Sequence, residues 1–160
     1  DKQMFQDLEK TNLDYYQKNK PALAALIQKN VFIKARIVQR DEFEKGDRKK
    51  LNFGHTVGHA IETQYNLMHG EAVSLGMVVA CRVSENLNGF NETGRVVAVL
   101  EDFGLPVSAD FKISKVFPVL EMDKKRQNKN LHYVLLEKIG KAAIKTIPLA
   151  NLKKILEKLS

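Results

Sequence analysis

A chain of 160 residues, 44% hydrophobic and 28% charged, is long enough for one globular domain with a buried core. It contains no apolar run near the roughly 20 residues of a membrane span, and the single cysteine excludes an internal disulfide, so we expect a cytoplasmic protein without a membrane partner. The net charge of +7 is compatible with binding either nucleic acid or a small anionic ligand. Because no basic motif is interleaved with aromatic residues, we expect no nucleic-acid partner.

Hydrophobic periodicity predicts a mainly α-helical, multi-helix domain. Pro21 suits the first turn of one helix, and the order Gly104 then Pro106 stops another. Two β-type runs meet near Lys138 to Lys141 and predict one small hairpin. We therefore predict a single domain over residues 1–160, with helices over about 3–18, 21–40, 48–65, 70–87, 92–103 and 149–159.

Residues 51–72, LNFGHTVGHAIETQYNLMHGEA, contain three of the four histidines of the chain. On one continuous helix, five polar side chains would share a stripe about 80° wide: Arg48, Asn52, His55, His59 and Glu62. A solvated helix face usually carries lysine, glutamate and glutamine, so this richer set indicates a functional site. The alternative, histidines hydrogen bonded to neighbours in a packed interior, stays open at this point.

His55 and His59 stand four residues apart, so their rings project from adjacent turns of one helix face. Two histidines at this spacing can share a divalent metal, or one can bind the metal while the other transfers protons. A helix hairpin after this segment would fold His69 back toward the same face. A catalytic zinc takes about three protein ligands, so two histidines with Glu62 or Glu71 would form a site.

Four segments resemble the family of 3-dehydroquinate synthase, an enzyme of the shikimate pathway: KARIVQRDEFEKGDR, RKKLNFGHTVGHAIE, HGEAVSLGM and MDKKRQNKNLHYVLLEKIGKA. The resemblance runs from about residue 1 to 150 and covers only the carboxy-terminal, helical, metal- and substrate-binding domain of that enzyme. The amino-terminal NAD-binding domain of the family has no counterpart here, in agreement with the absence of a G-x-G-x-x-G fingerprint from the sequence.

The resemblance implies a carbon–oxygen lyase that eliminates phosphate, as part of a full-length enzyme of aromatic amino-acid and chorismate biosynthesis. Such an enzyme converts 3-deoxy-D-arabino-heptulosonate 7-phosphate, a small anionic sugar phosphate, to 3-dehydroquinate and phosphate. NAD, bound mainly by the amino-terminal domain, oxidises one hydroxyl transiently. A divalent metal, zinc or cobalt, binds the substrate hydroxyls and polarises the oxidised centre. The full-length enzyme is expected to be a homodimer.

By the same resemblance, His55 and His69 are the two histidine ligands of the metal. The third ligand in the family is a glutamate upstream of the region that matches residue 1. Glu62 and Glu71 are therefore expected to support or cap neighbouring groups instead of binding the metal. On this basis the chain carries about half of an active site, and we expect it to be inactive alone.

The resemblance also assigns the substrate contacts. His59 is implied to lie beside the phosphate and to assist proton transfer, and Asn52 and Lys124 match phosphate-site positions. Lys34 and Arg48 match positions that hold the carboxylate and hydroxyl end of the substrate, where the planar guanidinium suits a carboxylate. All five are expected to bind substrate, and all except Lys124 are expected to act in catalysis.

Two alternatives stay open. Other sugar-phosphate cyclases and glycerol dehydrogenase-like enzymes also place histidines on a helical metal domain. A non-catalytic basic module that binds nucleic acid or a partner protein is the alternative from a different class. Of the remaining reactive side chains, His132 in a predicted strand is interpreted as structural, and Cys81 as a small core residue.

Overall fold

The computed structural model describes residues 1–124 and 130–158, and of Asp123 and Lys124 it describes the backbone only. The elements in chain order are α1 (Lys2–Leu8), α2 (Leu13–Lys18), α3 (Lys20–Arg40), a 3₁₀ helix (Asp47–Asn52), α4 (His55–Tyr65), α5 (His69–Asn88), α6 (Thr93–Asp102), α7 (Ile113–Lys124), β1 (Asn130–Lys138), β2 (Lys141–Pro148) and α8 (Leu149–Glu157). The predicted mainly α fold with a small hairpin is confirmed. Within the described part of the chain, no helix is both long enough and apolar enough to cross a bilayer.

The first predicted helix is divided into two. Between α1 and α2 the side chain of Asn12 accepts a hydrogen bond from the backbone N–H of Tyr15 at 2.9 Å and so begins α2. Asparagine is a preferred N-cap because its side-chain oxygen satisfies a free amide of the first turn. The single helix expected over 3–18 is therefore wrong. The helix expected over 21–40 is confirmed as α3, with Asn19 as its cap and Pro21 in its first turn.

The helix predicted over 48–65 is also interrupted, because the 3₁₀ helix ends at Asn52 and α4 begins only at His55. Gly54 between them has φ +81°, in the left-handed region that favours glycine. The continuous stripe expected from Arg48 to Glu62 is therefore wrong in its geometry. Arg48 and Asn52 lie on the 3₁₀ helix, and only the later members of that set lie on α4.

The backbones of α4 and α5 approach each other at glycines. A Cβ built on Gly76 would clash with the carbonyl oxygen of Gly54 and lie 2.7 Å from the backbone nitrogen of Gly58. A Cβ on Gly58 would lie 2.8 Å from the carbonyl oxygen of Ala72. Real Cβ atoms are not found this close to backbone atoms, so the spacing of the two helices requires glycine at Gly58 and Gly76.

Other boundaries follow the predicted pattern with one omission. The helices expected over 70–87, 92–103 and 149–159 are confirmed as α5, α6 and α8, although residues 159 and 160 lie outside the described residues. The hydrophobic pattern does not predict α7, in which Pro118 lies inside the helix. Proline usually ends a helix because it lacks the N–H donor, so the pattern there does not predict helix.

The hairpin covers the main core with one face. Leu131, Tyr133 and Leu135 of β1 are at most 2% exposed and pack with buried residues of α4, α5, α7 and α8. β1 and β2 are antiparallel, with His132 opposite Thr146. Cys81 is fully buried in a second cluster, and this burial raises the pKa of its thiol to about 12, which confirms its interpretation as a core residue.

The glycine contact gives a first prediction. Gly76→Ala forces its new methyl group into the backbone of α4, so we expect the free energy of unfolding to fall by about 3 kcal/mol, as in an overpacked core. Gly70→Ala in the same helix is the matched control, since a Cβ there meets nothing within 4 Å. Chemical denaturation followed by circular dichroism measures both, and equal stabilities of the two variants would contradict the proposed close contact.

Candidate metal and substrate site

A cavity of about 870 Å³ is bounded by the 3₁₀ helix, α4, the first residue of α5, α7 and the hairpin. All four histidines of the chain line it. The full lining among the described residues is Glu44, Lys49, Asn52, His55, Thr56, His59, His69, Leu120, Asn130, His132, Val134, Ile144 and Thr146. Ten of these thirteen residues have polar side chains, on a concave surface of the size that small-molecule ligands occupy.

His55 at the start of α4 and His69 at the start of α5 form a ring pair, with centroids 5.5 Å apart and an interplanar angle of 60°. His55 Nδ1 lies 3.2 Å from the carbonyl oxygen of Phe53. Because a carbonyl oxygen only accepts, Nδ1 is the donor in this contact, and in the neutral imidazole Nε2 then carries the lone pair. His69 Nδ1 lies 3.1 Å from Glu62 Oε2, which fixes the same tautomer.

Glu62 lies between two histidines. Its Oε2 is 3.1 Å from Nδ1 of His69 and 3.8 Å from Nδ1 of His59. The hydrogen bond from His69 is the main reason that the pKa of the Glu62 carboxyl is lowered, with a smaller contribution from His59. An ionised carboxylate that accepts from one ring nitrogen orients the other nitrogen, which is the usual arrangement around metal-binding histidines.

Glu71 has a different partner. Its Oε2 accepts a hydrogen bond from the backbone N–H of Met68 at 3.1 Å and so caps the start of α5. A carboxylate in the first turn also interacts favourably with the helix dipole. Glu62 thus contacts a histidine and Glu71 the start of a helix, and the roles that the resemblance implies for the two glutamates stay predictions.

The donor set fits part of a metal site. His55 and His69 each have Nδ1 engaged and Nε2 available, which is the state in which imidazole binds zinc or cobalt. Among residues 1–122 and 130–158, no three histidine, cysteine, aspartate or glutamate side chains are placed to hold one ion. The two histidines thus fit as two ligands of a set that needs a further donor.

The remaining predicted site residues are divided between the cavity and its surroundings. Asn52 and His59 line the cavity, together with the histidine pair. Lys34 is exposed on α3, and neither it nor Arg48 is among the residues that line the cavity. The side chain of Lys124, at the end of α7, lies outside the described part of the chain.

The segment between α3 and the 3₁₀ helix is ordered by Asp41. Its carboxylate accepts backbone N–H bonds from Lys45, Gly46 and Arg48 at 2.8 to 2.9 Å, and the bond from Arg48 is the main cause of its lowered pKa. An aspartate ahead of a Gly-containing polar run is a sequence signal for such a turn.

This turn presents Glu44 to the cavity. Glu44 has φ +54° and accepts a hydrogen bond from the Asn52 amide at 2.6 Å. The Arg48 guanidinium donates to the carbonyl oxygen of Glu42 at 2.5 Å, and its Nε lies 4.0 Å from Glu44 Oε2. The two residues expected to bind substrate from the 3₁₀ helix are therefore held by neighbours in the preceding turn.

Sequence reasoning missed several polar cavity residues: Lys49, Thr56, Asn130, His132 and Thr146. His132, interpreted as structural, lies on the cavity wall. The signal that could have found it is the alternation of β1, in which Leu131 and Tyr133 are buried while Asn130 and His132 are exposed. Which cavity that face meets depends on tertiary packing and could not be read from the alternation.

A family model described as 3-dehydroquinate synthase C-terminal matches residues 1–126. A 3-dehydroquinate synthase of Campylobacter concisus is 42% identical over 153 residues, a match that covers 91% of this chain and 42% of the relative. This chain thus spans about two fifths of the length of the curated relatives that it matches.

Two solved structures have the same fold. A 2-deoxy-scyllo-inosose synthase complexed with carbaglucose-6-phosphate, NAD⁺ and Co²⁺ is 26% identical, with a TM-score of 0.71 over 86% of this chain and 41% of that one. A 2-epi-5-epi-valiolone synthase from Streptomyces hygroscopicus with NAD⁺ and Zn²⁺ bound is 23% identical, with a TM-score of 0.80 over 98% of this chain and 46% of that one. The second likeness, at this identity, bears on the fold alone.

The Glu62 contact gives a second prediction. We expect this chain to bind Zn²⁺ weakly, and Glu62→Gln to weaken it by a further factor of about 10 to 100, because the amide holds the His69 tautomer less firmly. Zn²⁺ titration followed by the imidazole resonances in NMR spectra measures this affinity. Glu85→Gln is the matched control, since Glu85 pairs with Arg82 on α5 and does not line the cavity.

Two outcomes of this titration would contradict the role of Glu62. If Glu62→Gln and Glu85→Gln bind Zn²⁺ equally well, Glu62 does not orient a metal ligand. If wild-type binding is tight and disappears in Glu62→Gln while the His55 resonances stay unchanged, Glu62 is itself a ligand and the assignment of the pair is wrong.

Proposed function

Since the chain belongs to the 3-dehydroquinate synthase C-terminal family, we propose that it supplies the metal- and substrate-binding half of a 3-dehydroquinate synthase. The whole enzyme would convert 3-deoxy-D-arabino-heptulosonate 7-phosphate to 3-dehydroquinate and phosphate, as a phosphate-eliminating lyase of the shikimate pathway. The observation that carries this proposal is the His55–His69 pair, with both Nε2 atoms available, at one side of a donor-rich cavity.

The lining of the cavity supports an anionic substrate. Its described residues include one lysine and four imidazoles against one carboxylate, that of Glu44. The Glu44 carboxylate already accepts a hydrogen bond from Asn52. A phosphate ester with several hydroxyl groups would find donors around it and little charge repulsion, which favours a sugar phosphate over a cationic or apolar ligand.

The metal would be held by His55 and His69 through Nε2, with a further ligand from outside this chain. A divalent ion supplies Lewis-acid polarisation of a substrate oxygen and neutralises negative charge beside it. Zinc and cobalt both suit imidazole ligands, and the 2-deoxy-scyllo-inosose synthase that has this fold is complexed with Co²⁺. NAD, which that synthase also contains, would bind mainly in the part of the enzyme that this chain does not cover.

His59 would move protons, whereas Asn52 would position the substrate. The His59 side chain is 64% exposed, and Glu62 Oε2 lies 3.8 Å from its Nδ1, so its ring can take up a proton with a carboxylate nearby. The Asn52 amide can donate to a phosphate oxygen if it leaves Glu44.

The resemblance alone supports three further substrate contacts, those of Lys34, Arg48 and Lys124. It also supports a homodimer as the proposed state of the full-length enzyme.

A related cyclase acting on another sugar phosphate is the main alternative. The structural neighbour with carbaglucose-6-phosphate belongs to that class, at 26% identity. The 42% identity with a 3-dehydroquinate synthase favours the proposed substrate. Turnover with the heptulosonate phosphate, compared with glucose 6-phosphate, separates the two.

A third prediction concerns this chain joined to the amino-terminal half of a 3-dehydroquinate synthase. His55→Ala or His69→Ala should lower kcat by several orders of magnitude and lower the metal content, because each removes a metal ligand. His59→Ala should lower kcat by about 10² to 10⁴, as expected for one proton-transfer group, and leave the metal in place. Release of phosphate and metal analysis by mass spectrometry are measured on the same samples.

The chain without its amino-terminal partner is the control and is expected to show no turnover. Appreciable turnover by it would contradict the view that it holds only part of the site. Loss of the metal in His59→Ala, with retention in His55→Ala, would reverse the assignment of the two histidines.

A further inference from the structure

The two faces of the hairpin differ in chemistry. On β1, Leu131 and Tyr133 are 1% and 2% exposed and belong to the core. The alternate residues Asn130 and His132 are exposed and line the cavity. Thr146, directly across from His132 on β2, lines it as well. The hairpin therefore forms one wall of the same cavity that the histidine pair lines from α4 and α5.

His132 is held in place by its cross-strand partner. Its Nδ1 lies 3.2 Å from the hydroxyl oxygen of Thr146, within hydrogen-bond distance. This contact uses one ring nitrogen and leaves Nε2 for a ligand. A strand also fixes its side chains more firmly than a loop does, so the imidazole is positioned before a ligand arrives.

The charge around this wall favours an oxyanion. Lys49 and Asn130 line the same cavity and can each donate a hydrogen bond, whereas the Thr146 hydroxyl donates to Nδ1 of His132 when Nε2 carries the proton. The one carboxylate in the described lining belongs to Glu44, which already accepts from Asn52. A cation would meet mostly donors here, whereas a phosphate or carboxylate oxygen would find several.

We propose that His132, positioned by Thr146, donates a hydrogen bond from Nε2 to an anionic oxygen of the substrate, either phosphate or carboxylate. This proposal rests on the proposed function and adds a substrate contact from the hairpin, at a residue that the sequence pattern predicts to be structural. In this arrangement the substrate lies between two walls, the histidine pair on α4 and α5 and the His132–Thr146 pair on the hairpin. Thr146 is a positioning residue and His132 a binding residue.

The first test measures anion binding by this chain directly. Inorganic phosphate and glycolate are titrated separately at constant pH and ionic strength, and the imidazole C–H resonances are followed by NMR spectroscopy. His132→Gln assigns the His132 signals by their disappearance. We expect a saturable shift of these signals with one of the two anions and no shift with chloride, and the effective anion indicates whether phosphate or carboxylate is bound.

The variant Thr146→Val keeps a β-branched side chain in the strand and removes the hydroxyl group. We expect the apparent Kd for the effective anion, read at His132, to rise by about tenfold, as for the loss of one hydrogen bond that positions a donor. Lys138→Ala is the control, because Lys138 is exposed on β1, the strand of His132, and does not line the cavity. The absence of any saturable shift at His132, or an equal Kd in Thr146→Val and wild type, would overturn the proposal.

The second test separates this proposal from the proposed function. In the chain joined to its amino-terminal half, His132→Gln should raise KM for the heptulosonate phosphate by about tenfold and change kcat less, because a binding contact is lost. If the joined enzyme has no synthase activity but phosphate or glycolate still shifts His132, the proposed function fails while the anion contact stands. Normal activity with an unchanged KM in His132→Gln would overturn the anion contact and leave the proposed function intact.

Discussion

The close approach of the α4 and α5 backbones is the constraint on which the site depends. At Gly58 and Gly76 no Cβ fits between the two helices, so they pack with backbone against backbone. This spacing places His55, the first residue of α4, beside His69, the first residue of α5, with ring centroids 5.5 Å apart. A larger residue at either glycine would separate the helices and with them the two rings. A packing feature of the core thus sets the geometry of the proposed metal ligands.

Local hydrogen bonds then orient the two neighbouring histidine rings for metal binding. The helical backbone is interrupted at Gly54, and the carbonyl oxygen of Phe53 accepts a hydrogen bond from Nδ1 of His55. The Glu62 carboxylate, on α4, accepts a hydrogen bond from Nδ1 of His69, the first residue of α5. Both neutral imidazoles are therefore held in the tautomer that leaves Nε2 free. The Phe53 contact depends on the break before α4, because in a continuous helix over 48–65 that carbonyl oxygen would accept from a backbone N–H of the next turn.

Much of the fold could be predicted because its signals are local. Pro21 in the first turn of α3, the glycine stop after α6 and the two β-type runs of the hairpin act within a few residues of where they occur. The break before α4 could not be predicted in this way, because Gly54 adopts its conformation against the backbone of α5, and α7 was missed because Pro118 lies inside it.

The site residues also fall into those that local sequence predicts and those that depend on tertiary packing. The motif around His55, His59 and His69 was found because its members are close in sequence, and the resemblance to a family added roles that spacing leaves open. His132 and Thr146 meet the motif only after the hairpin packs, more than sixty residues later in the chain. Lys34 and Arg48 show the reverse case, since the resemblance assigns them to the substrate and this structure leaves them outside the cavity lining.

The central claim is that His55 and His69, held by Phe53 and Glu62, form a metal-binding pair through Nε2. Anomalous diffraction from crystals of this chain soaked in Co²⁺ tests it most directly, because it locates the metal independently of the protein model. The expected result is an anomalous peak within bonding distance of both Nε2 atoms, with Glu62 still on Nδ1 of His69. A peak at His59, or one bound by the Glu62 carboxylate, would contradict the assignment.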